Sequence, residues 1–286
     1  MSRTPVLRLA VVGLAAAALA LTGCASGTSG TPSGEASEPA DSGYVTEGKF
    51  TVATGEPAYY PWVIDDAPES GEGFEAAVAY ALAEELGFAA EDVVWVRTSF
   101  EEAIAPRPKD FDVNLQQFSI TDERKESVDF SSPYYETTQV VVTTADSPAA
   151  DATSIADLKD LLIGAQTGTT SFTTIEEVIQ PTQGAQAFNT NDDAKLALEN
   201  DVVDAIVVDL PTAFYISGVE LTDGVLVGQL PTPDGATGDE FGFVLAKDSS
   251  LTAEVTAAVD ALRENGTLDE LAAEWLGGEG QAPVLQ

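Results

Sequence analysis

The chain has 286 residues, of which 44% are hydrophobic, and its 12 basic residues stand against 48 acidic ones, for a formal net charge of −36. This length is sufficient for one large hydrophobic core or two medium ones. The negative charge argues against binding to nucleic acid or to anionic lipid headgroups, because both require a basic surface. The chain contains no histidine and one cysteine, so an intrachain disulfide is excluded.

The start of the chain has the pattern of a signal peptide, predicted at residues 1–23. Two arginines precede an apolar run at residues 9–21, which is shorter than the ~20 residues that a membrane-spanning helix needs. The run ends in Leu-Thr-Gly-Cys, which resembles the lipobox of bacterial lipoproteins and implies a lipid anchor on Cys24. A plain secretory signal with an incidental cysteine is the alternative. Residues 24–46, rich in Gly, Ser, Pro and acids, are predicted to form a flexible tether.

From residue 47 onward, short strand-like runs alternate with helical runs. The clearest helix is predicted at residues 73–88, where apolar residues recur at helical spacing. The predicted strands are residues 49–54, 92–98, 111–118, 134–144, 161–166, 184–189, 202–209 and 241–246. The other predicted helices are residues 99–105, 154–160, 170–179, 192–200, 211–217, 251–265 and 268–277. Such alternation indicates parallel sheets covered by helices, and two sets of this kind predict two α/β lobes.

Ligands of open α/β sheets bind beyond the carboxyl ends of the strands. Four parts of this chain occupy such positions, namely residues 56–62, 119–124 and 167–170 and the single residue Asp209. Arg124 is conspicuous among them, because the chain has few cations and a planar guanidinium suits a carboxylate. The alternative for Arg124 is a helix-start arginine that pairs with a surface acid.

The other strand ends supply groups that complement this arginine. Residues 166–171 lead from a strand into a helix, where N–H groups and hydroxyls can receive an anion. Asp209 ends an apolar run, in which a carboxylate is costly unless it faces a cation or hydrogen-bond donors. Taken alone, these features also fit an ordinary capped turn and a helix cap before Pro211. Aromatic residues lie near the same strand ends and fit either a core or a ligand site: Tyr59, Tyr60, Trp62 and Phe100.

Together, one cation, one helix start, one carboxylate and several aromatic rings describe a site for a zwitterion. At these residues the chain resembles the extracellular solute-binding proteins of ABC-type polar amino acid importers, which include glutamine-, histidine- and basic-amino-acid-binding proteins. The resemblance covers residues 47–277. It rests on the following pieces in the family's order: Tyr59-Tyr60-Pro61-Trp62, Gly73-Phe74-Glu75, residues 119–135, residues 164–170, residues 194–209 and the closing residues 241–249.

The resemblance implies the type II periplasmic-binding-protein fold, with two α/β lobes joined by two crossing strands and a ligand cleft between them. Lobe 1 is expected to comprise residues 47–142 and 239–278, and lobe 2 residues 143–238. Residues 279–286 are expected to form a tail.

The resemblance also implies roles for individual residues. Arg124 would hold the ligand carboxylate, together with the backbone N–H groups of Ser119 and Thr170. The Ser119 hydroxyl, the Gln117 carbonyl and Asp209 would hold the ammonium. The rings of Tyr59 and Phe100 would enclose the ligand side chain. The remaining expected ligand contacts are Glu56, Trp62, Gln166 and Thr169.

Three residues depart from the family's usual pattern. Gln117 stands where a small residue is usual, so its side chain is expected to narrow or reshape the pocket. Gln166 replaces a residue that is charged in some relatives, and Glu75 replaces the usual Asp with an expected structural effect only. Glu56, at a position often held by Asp, hints at a ligand with a basic or amide side chain.

The sequence therefore predicts a receptor that is tethered to the extracellular face of the membrane, closes on an amino acid and delivers it to an ABC permease. We expect a monomer without cofactor or metal and without catalytic activity. A ligand-sensing module for a signalling partner is one alternative. A secreted enzyme of the cyclohexadienyl dehydratase type is another; without histidine, and with Cys24 in the lipobox, its catalysis would depend on carboxylates such as Glu56.

Overall fold

The structure is a computed structural model that describes residues 43–232, 238–277 and 282–286. The predicted signal peptide, Cys24 and most of the predicted tether lie outside these residues. The strands are β1 (Phe50–Gly55), β2 (Val93–Thr98), β3 (Val113–Asn114), β4 (Val128–Thr137), β5 (Gln139–Thr144), β6 (Ile163–Gln166), β7 (Gln186–Phe188), β8 (Ala205–Asp209), β9 (Gly224–Gln229) and β10 (Asp239–Ala246).

The α-helices lie between these strands and after the last of them. They are α1 (Phe74–Glu85), α2 (Phe100–Ile104), α3 (Asp122–Lys125), α4 (Ile155–Leu158), α5 (Thr170–Thr174), α6 (Asn191–Glu199), α7 (Leu210–Tyr215), α8 (Thr252–Glu264) and α9 (Thr267–Trp275). A π-helical turn extends α5 through Ile179, and another extends α7 through Glu220. Within the described ranges, no helix combines the length and apolar character needed to span a bilayer.

The first lobe is built on a sheet with the strand order β2-β1-β3-β10-β4. Strands β2 and β3 run parallel to β1, whereas β10 runs antiparallel to β3 and β4. Helix α1 buries Phe74, Val78 and Leu82 in one core with Phe50 of β1 and Val255 of α8. The apolar spacing that predicted α1 thus corresponds to the side that faces this core.

The second lobe is built on a sheet with the strand order β7-β6-β8-β5-β9. Its central strands are apolar on both faces, because helices cover both sides of the sheet. Val141 of β5 lies in one core with Ile175, and its neighbour Val140 lies in the other core with Leu198. This explains why β5 and β8 appear in the sequence as continuous apolar runs.

Two crossings join the lobes, as predicted. The first runs from β4 to β5 through Thr138, and the second runs from β9 to β10. Strand β5 pairs with β8 and β9 of the second sheet, so the chain leaves the first sheet at Thr138 and not at the expected residue 142. The single strand expected at residues 134–144 is therefore two strands in different sheets.

Several segments differ from the sequence-based expectations. Strand β9 was not predicted, and only two residues of the run 111–118 form a ladder. Of the residues expected to be a tail, 282–286 are described and lie along β9, where the N–H of Leu285 donates to the Gln229 carbonyl over 2.9 Å. At the other end, Tyr44, expected in the tether, stacks edge-on against Phe88. Tertiary contacts explain the two terminal segments, whereas the Val-Leu-Val run of β9 is itself typical of a strand.

Candidate functional site

A cavity of about 60 Å³ lies between the lobes, at the carboxyl ends of β1, β6 and β8. Its position agrees with the rule for ligands of open α/β sheets. Most of the residues predicted from the sequence to contact a ligand line it: Tyr59, Phe100, Gln117, Ser119, Arg124, Gln166, Thr169, Thr170 and Asp209. The fold thus brings together groups that are up to 150 residues apart in the chain.

Arg124 is the buried cation of this cavity and is 8% exposed. It lies in α3, a single turn whose N-terminus is capped by the Thr121 hydroxyl, which accepts from the Arg124 N–H. Nη1 donates to the Ser119 carbonyl over 2.7 Å, and Nη2 donates to the Gly168 carbonyl of the other lobe over 2.9 Å. Its guanidinium carbon lies 5.3 Å from the centre of the Phe100 ring. The alternative of a surface arginine is thereby excluded.

Burial lowers the pKa of Arg124 to about 10, although the carboxyl groups of Asp239 and Asp209 oppose the shift. The guanidinium therefore stays charged at neutral pH. Its two hydrogen bonds to carbonyl oxygens use only part of its five N–H donors. The remaining donors are suited to a carboxylate, since a buried charge needs a partner of opposite sign.

Ser119 and Thr170 meet across the cavity, with 3.1 Å between their hydroxyl oxygens. Ser119 is buried in the first lobe, and Thr170 is the first residue of α5 in the second lobe. Thr169 caps this helix through its hydroxyl, which accepts from the Phe172 N–H over 3.1 Å. Thr170 also donates to Asp239 over 2.8 Å. These hydroxyls place polar hydrogen-bonding groups from both lobes beside Arg124.

The acidic side of the cavity contains Asp209, and sequence reasoning missed two residues beside it, Gln139 and Asp239. Gln139, at the start of β5, donates to the carboxylates of Asp209 over 2.8 Å and of Asp239 over 2.5 Å. Burial, followed by the charge of Asp239, raises the pKa of Asp209 to about 8. Gln139 and Asp239 each begin the strand that follows a crossing, a place that no local motif marks.

The side chain of Gln117 lines the cavity and donates to Glu75, which also accepts from the Gln117 N–H over 2.7 Å. Burial raises the pKa of Glu75 to about 7, against the opposing effect of its hydrogen bonds from Tyr134 and Gln117. Gln116, also missed from the sequence, lines the cavity and donates to Thr98 over 3.0 Å.

Aromatic rings and Gln166 form the outer part of the cavity. Tyr59 reaches Thr190 and Asp192 of the second lobe, and its pKa is raised to about 12 by burial and then by the charge of Asp192. Phe100 stacks on Phe118 at 4.7 Å between ring centres. The predicted pair of rings is thus present at the cavity, with Gln166 beside them.

The structure places two predicted ligand contacts outside this cavity. Glu56 is exposed and lines a more open cavity that shares Tyr59, Phe100 and Gln166 with the first. Trp62 is fully buried in the core of the first lobe, and its indole N–H donates to Thr212 of the second lobe over 3.0 Å. An aromatic residue after a strand fits a core as well as a pocket, and here the core is the outcome.

Tyr60 of the first lobe and Tyr215 of the second lobe form a further contact between the lobes, with their ring centres 4.3 Å apart. Such a pair contributes about 0.5–1.5 kcal/mol beyond its buried area. We expect Tyr60→Ala to lower the affinity for every ligand by the same factor, roughly 3- to 10-fold. The reason is that the contact stabilises the closed arrangement of the lobes and does not depend on which ligand is bound. Isothermal titration calorimetry with a ligand series would measure this.

Tyr215→Ala should have the same effect, and the double variant should lose little more than either single variant. Leu196→Ala, at an exposed position of the second lobe, is the matched control and should leave affinities unchanged. Losses that differ between ligands would instead mean that Tyr60 contacts the ligand.

The two raised carboxyl pKa values predict that the ligand-free protein becomes less stable as the pH rises. Glu75 and Asp209 have pKa values of about 7 and about 8 when folded, against about 4 when unfolded. Between these values the folded state holds more protons than the unfolded state, so the free energy of unfolding falls with increasing pH. We expect Tm to be lower at pH 8 than at pH 6 by roughly 5 °C. Differential scanning calorimetry tests this, and a Tm that rises over this interval would contradict it.

The comparisons with known proteins agree with this geometry. Residues 51–278 match the model of the family described as bacterial extracellular solute-binding proteins, family 3. The chain is 28% identical over 268 residues to the arginine-binding extracellular protein ArtP of Bacillus subtilis, covering 91% of this chain and 94% of the relative. It is 30% identical over 202 residues to a probable histidine-binding protein of Campylobacter jejuni, covering 70% and 74%.

Solved structures give the same result. An ancestral arginine-binding protein bound to glutamine matches with a TM-score of 0.67 and 27% identity, covering 81% of this chain and 99% of that one. The arginine-, lysine-, histidine-binding protein ArtJ of Geobacillus stearothermophilus matches with a TM-score of 0.64 and 25% identity, covering 81% and 96%. The predictions of a two-lobe binding-protein fold and of a non-enzymatic role are therefore confirmed, and the chain belongs to the bacterial extracellular solute-binding proteins, family 3.

Proposed function

We propose that this protein is the extracellular receptor of an ABC importer and that it binds an amino acid in the cavity between its lobes. The observation that carries the proposal is that one cavity is lined by a buried arginine from the first lobe and a carboxyl group from the second, Arg124 and Asp209. In an amino acid, a carboxylate that complements Arg124 and an ammonium that complements Asp209 are attached to the same carbon atom. Its binding would therefore engage both lobes at once.

The carboxylate of the ligand would bind to Arg124, beside the hydroxyls and backbone N–H groups of Ser119 and Thr170. The guanidinium is desolvated, so an ion pair there is stronger than one in water. Removing the guanidinium from water also costs free energy, and the ligand carboxylate offsets this cost because it supplies the opposite charge. The pairing is thus favourable only for ligands with an acid group at this end.

The ammonium would bind to Asp209, the Ser119 hydroxyl and the Gln117 carbonyl. In the ligand-free protein the carboxyl of Asp209, whose pKa is about 8, is mostly protonated at neutral pH. A cation beside it favours the carboxylate, so binding of an ammonium is expected to release a proton. Micromolar affinity corresponds to about −8 kcal/mol, which two desolvated ion pairs and aromatic packing can supply.

The side chain of the ligand would extend between Tyr59 and Phe100 towards the more open cavity. That cavity is lined by Glu56 and Glu101 and by no lysine or arginine among the described residues. A cationic side chain is therefore favoured there. The names of the arginine- and histidine-binding relatives support the same class, so arginine is the first ligand to test.

A thermal-shift screen across the amino acids tests the proposal, because a ligand that binds only the native state raises the Tm. We expect the largest shift with arginine or another basic amino acid and a smaller shift with analogues that lack the α-carboxylate or the α-ammonium. The absence of a shift with any amino acid, at millimolar concentration and between pH 6 and 8, would contradict the proposed function.

We further propose that a lipid on Cys24 tethers the receptor to the outer face of the cell membrane, next to its permease. The support is the signal-peptide pattern and the Leu-Thr-Gly-Cys motif, which lie outside the described residues. Expression of Cys24→Ala in a bacterial host tests the tether. The native protein should fractionate with membranes and the variant should be released, and equal release of both would contradict the anchor.

A further inference from the structure

Glu75 is a buried acid for which the proposed binding chemistry has no role. It is the second residue of α1, is completely buried and lines the cavity. Its position depends on Gly73, whose φ of 101° and contact with the Trp62 carbonyl leave no room for a side chain. No lysine or arginine of the described residues forms an ion pair with it. A buried carboxyl without a cation must be stabilised by hydrogen bonds.

Two of those hydrogen bonds come from one residue, Gln117. Its backbone N–H donates to Oε1 of Glu75 over 2.7 Å, and its side-chain amide donates to Oε2. The Tyr134 hydroxyl donates to Oε1 as well. Both oxygens of the carboxyl group are thus occupied, and two of the three donors belong to the loop that forms the cavity wall.

The backbone of Gln117 needs such support, because its φ of 53° lies in the left-handed region. Residues with a Cβ rarely adopt this conformation. Gln117 is followed by Phe118, which is buried in the core, and by Ser119, which lines the cavity. The left-handed turn therefore determines how the peptide of Gln117 and the hydroxyl of Ser119 face the ligand.

Glu75 also lies close to the acidic side of the site. Its charge is among the causes that raise the pKa of Asp209. The two carboxyl groups therefore act on the same region of the cavity, the one proposed to receive the ligand's ammonium. A role restricted to the core of the first lobe does not explain this proximity.

We propose that Glu75 is a positioning residue for the ammonium subsite: by holding both N–H donors of Gln117, it keeps the left-handed turn that presents the Gln117 carbonyl and the Ser119 hydroxyl to the ligand. This inference rests on the proposed function, since it assigns a residue to that same site. It corrects the expectation that Glu75 has a structural effect only.

Two variants separate the positioning role from a general effect on folding. Glu75→Ala removes the acceptors of Gln117. Glu75→Gln keeps an oxygen for the backbone N–H and for Tyr134, and the Gln117 amide can rotate so that its oxygen accepts from the introduced NH₂ group. The glutamine variant is therefore the conservative rescue. Glu84→Ala, at an exposed position of the same helix, is the matched control.

Calorimetric titration would compare arginine with 5-guanidinopentanoate, which is arginine without its α-amino group. We expect Glu75→Ala to lower the affinity for arginine at least 10-fold and the affinity for the analogue less than 3-fold. Glu75→Gln should recover most of the affinity for arginine. Equal losses for both ligands, or no loss for arginine, would overturn the inference.

A readout without ligand distinguishes this inference from the proposed function. Hydrogen exchange of the segment 115–119 in the ligand-free protein should become faster in Glu75→Ala and stay near the native rate in Glu75→Gln and Glu84→Ala. Unchanged exchange in Glu75→Ala overturns the positioning role alone. A native protein that binds no amino acid would instead overturn the proposed function, and the assignment of Glu75 to an ammonium subsite with it.

Discussion

Arg124→Ala should weaken the binding of every ligand that carries an α-carboxylate by about 30- to 3000-fold in affinity. The guanidinium is the buried cation of the cavity and bridges the Ser119 and Gly168 carbonyls of the two lobes. Removing one partner of a desolvated charge pair costs about 2–5 kcal/mol, and each 1.4 kcal/mol is about tenfold in affinity. Calorimetric titration with arginine and with 5-guanidinopentanoate measures the loss.

The controls make the result specific to the carboxylate. Agmatine, which is arginine without its carboxylate, should bind the variant and the native protein within a factor of about three of each other. Arg107→Ala removes an exposed ion pair with Glu102, which is worth about 1 kcal/mol or less, and should leave arginine binding unchanged. Tight binding of arginine to Arg124→Ala would disprove the role of this residue as the carboxylate partner.

Asp209→Asn should lower the affinity for arginine by about 30- to 1000-fold. The affinity for 5-guanidinopentanoate should stay within about threefold of that of the native protein. The substitution keeps the shape of the side chain and its contact with Gln139, but removes the charge that pairs with the ammonium. Asp223→Asn, at an exposed position of the same lobe, is the matched control. Similar losses for arginine and for the analogue would show that Asp209 acts on folding or closure rather than on the ammonium.

The same residue predicts how arginine affinity depends on pH. Because the pKa of Asp209 is about 8 without ligand, the carboxyl must lose a proton when the ammonium binds. The affinity should therefore rise as the pH increases from 6 to 8, and proton release should appear in titrations with buffers of different ionisation enthalpy. Asp209→Asn should reduce this slope.

Much of the site follows from the rule that ligands bind at strand ends, because that rule uses only the order of elements along the chain. The structure brings to one cavity four residues that lie at the end of a strand or strand-like run or within six residues after it: Ser119, Arg124, Thr170 and Asp209. Their residue types limit the chemistry further, since a cation and a carboxyl at separate strand ends suit a zwitterion. This part of the site could be predicted without coordinates.

Other parts could not be predicted, because they depend on distances between segments far apart in the chain. Gln139 and Asp239 are 100 residues apart in the chain and meet only because the first residues of β5 and β10 lie side by side. Trp62 was expected at the ligand, yet three aromatic neighbours, Phe74, Tyr135 and Phe241, surround its ring in the core. Glu56 follows a strand as the rule requires, but the loop turns it towards solvent.

The sequence by itself determined the fold class, the two lobes and the residue types at the strand ends, because periodicity and strand ends are local properties, and its motifs carried the resemblance to the family. Only the tertiary structure decided where the chain crosses between lobes, which aromatic residues face the cavity and what Glu75 holds. Burial is the physical reason: the same carboxyl or indole group is a surface, core or site residue depending on what packs against it.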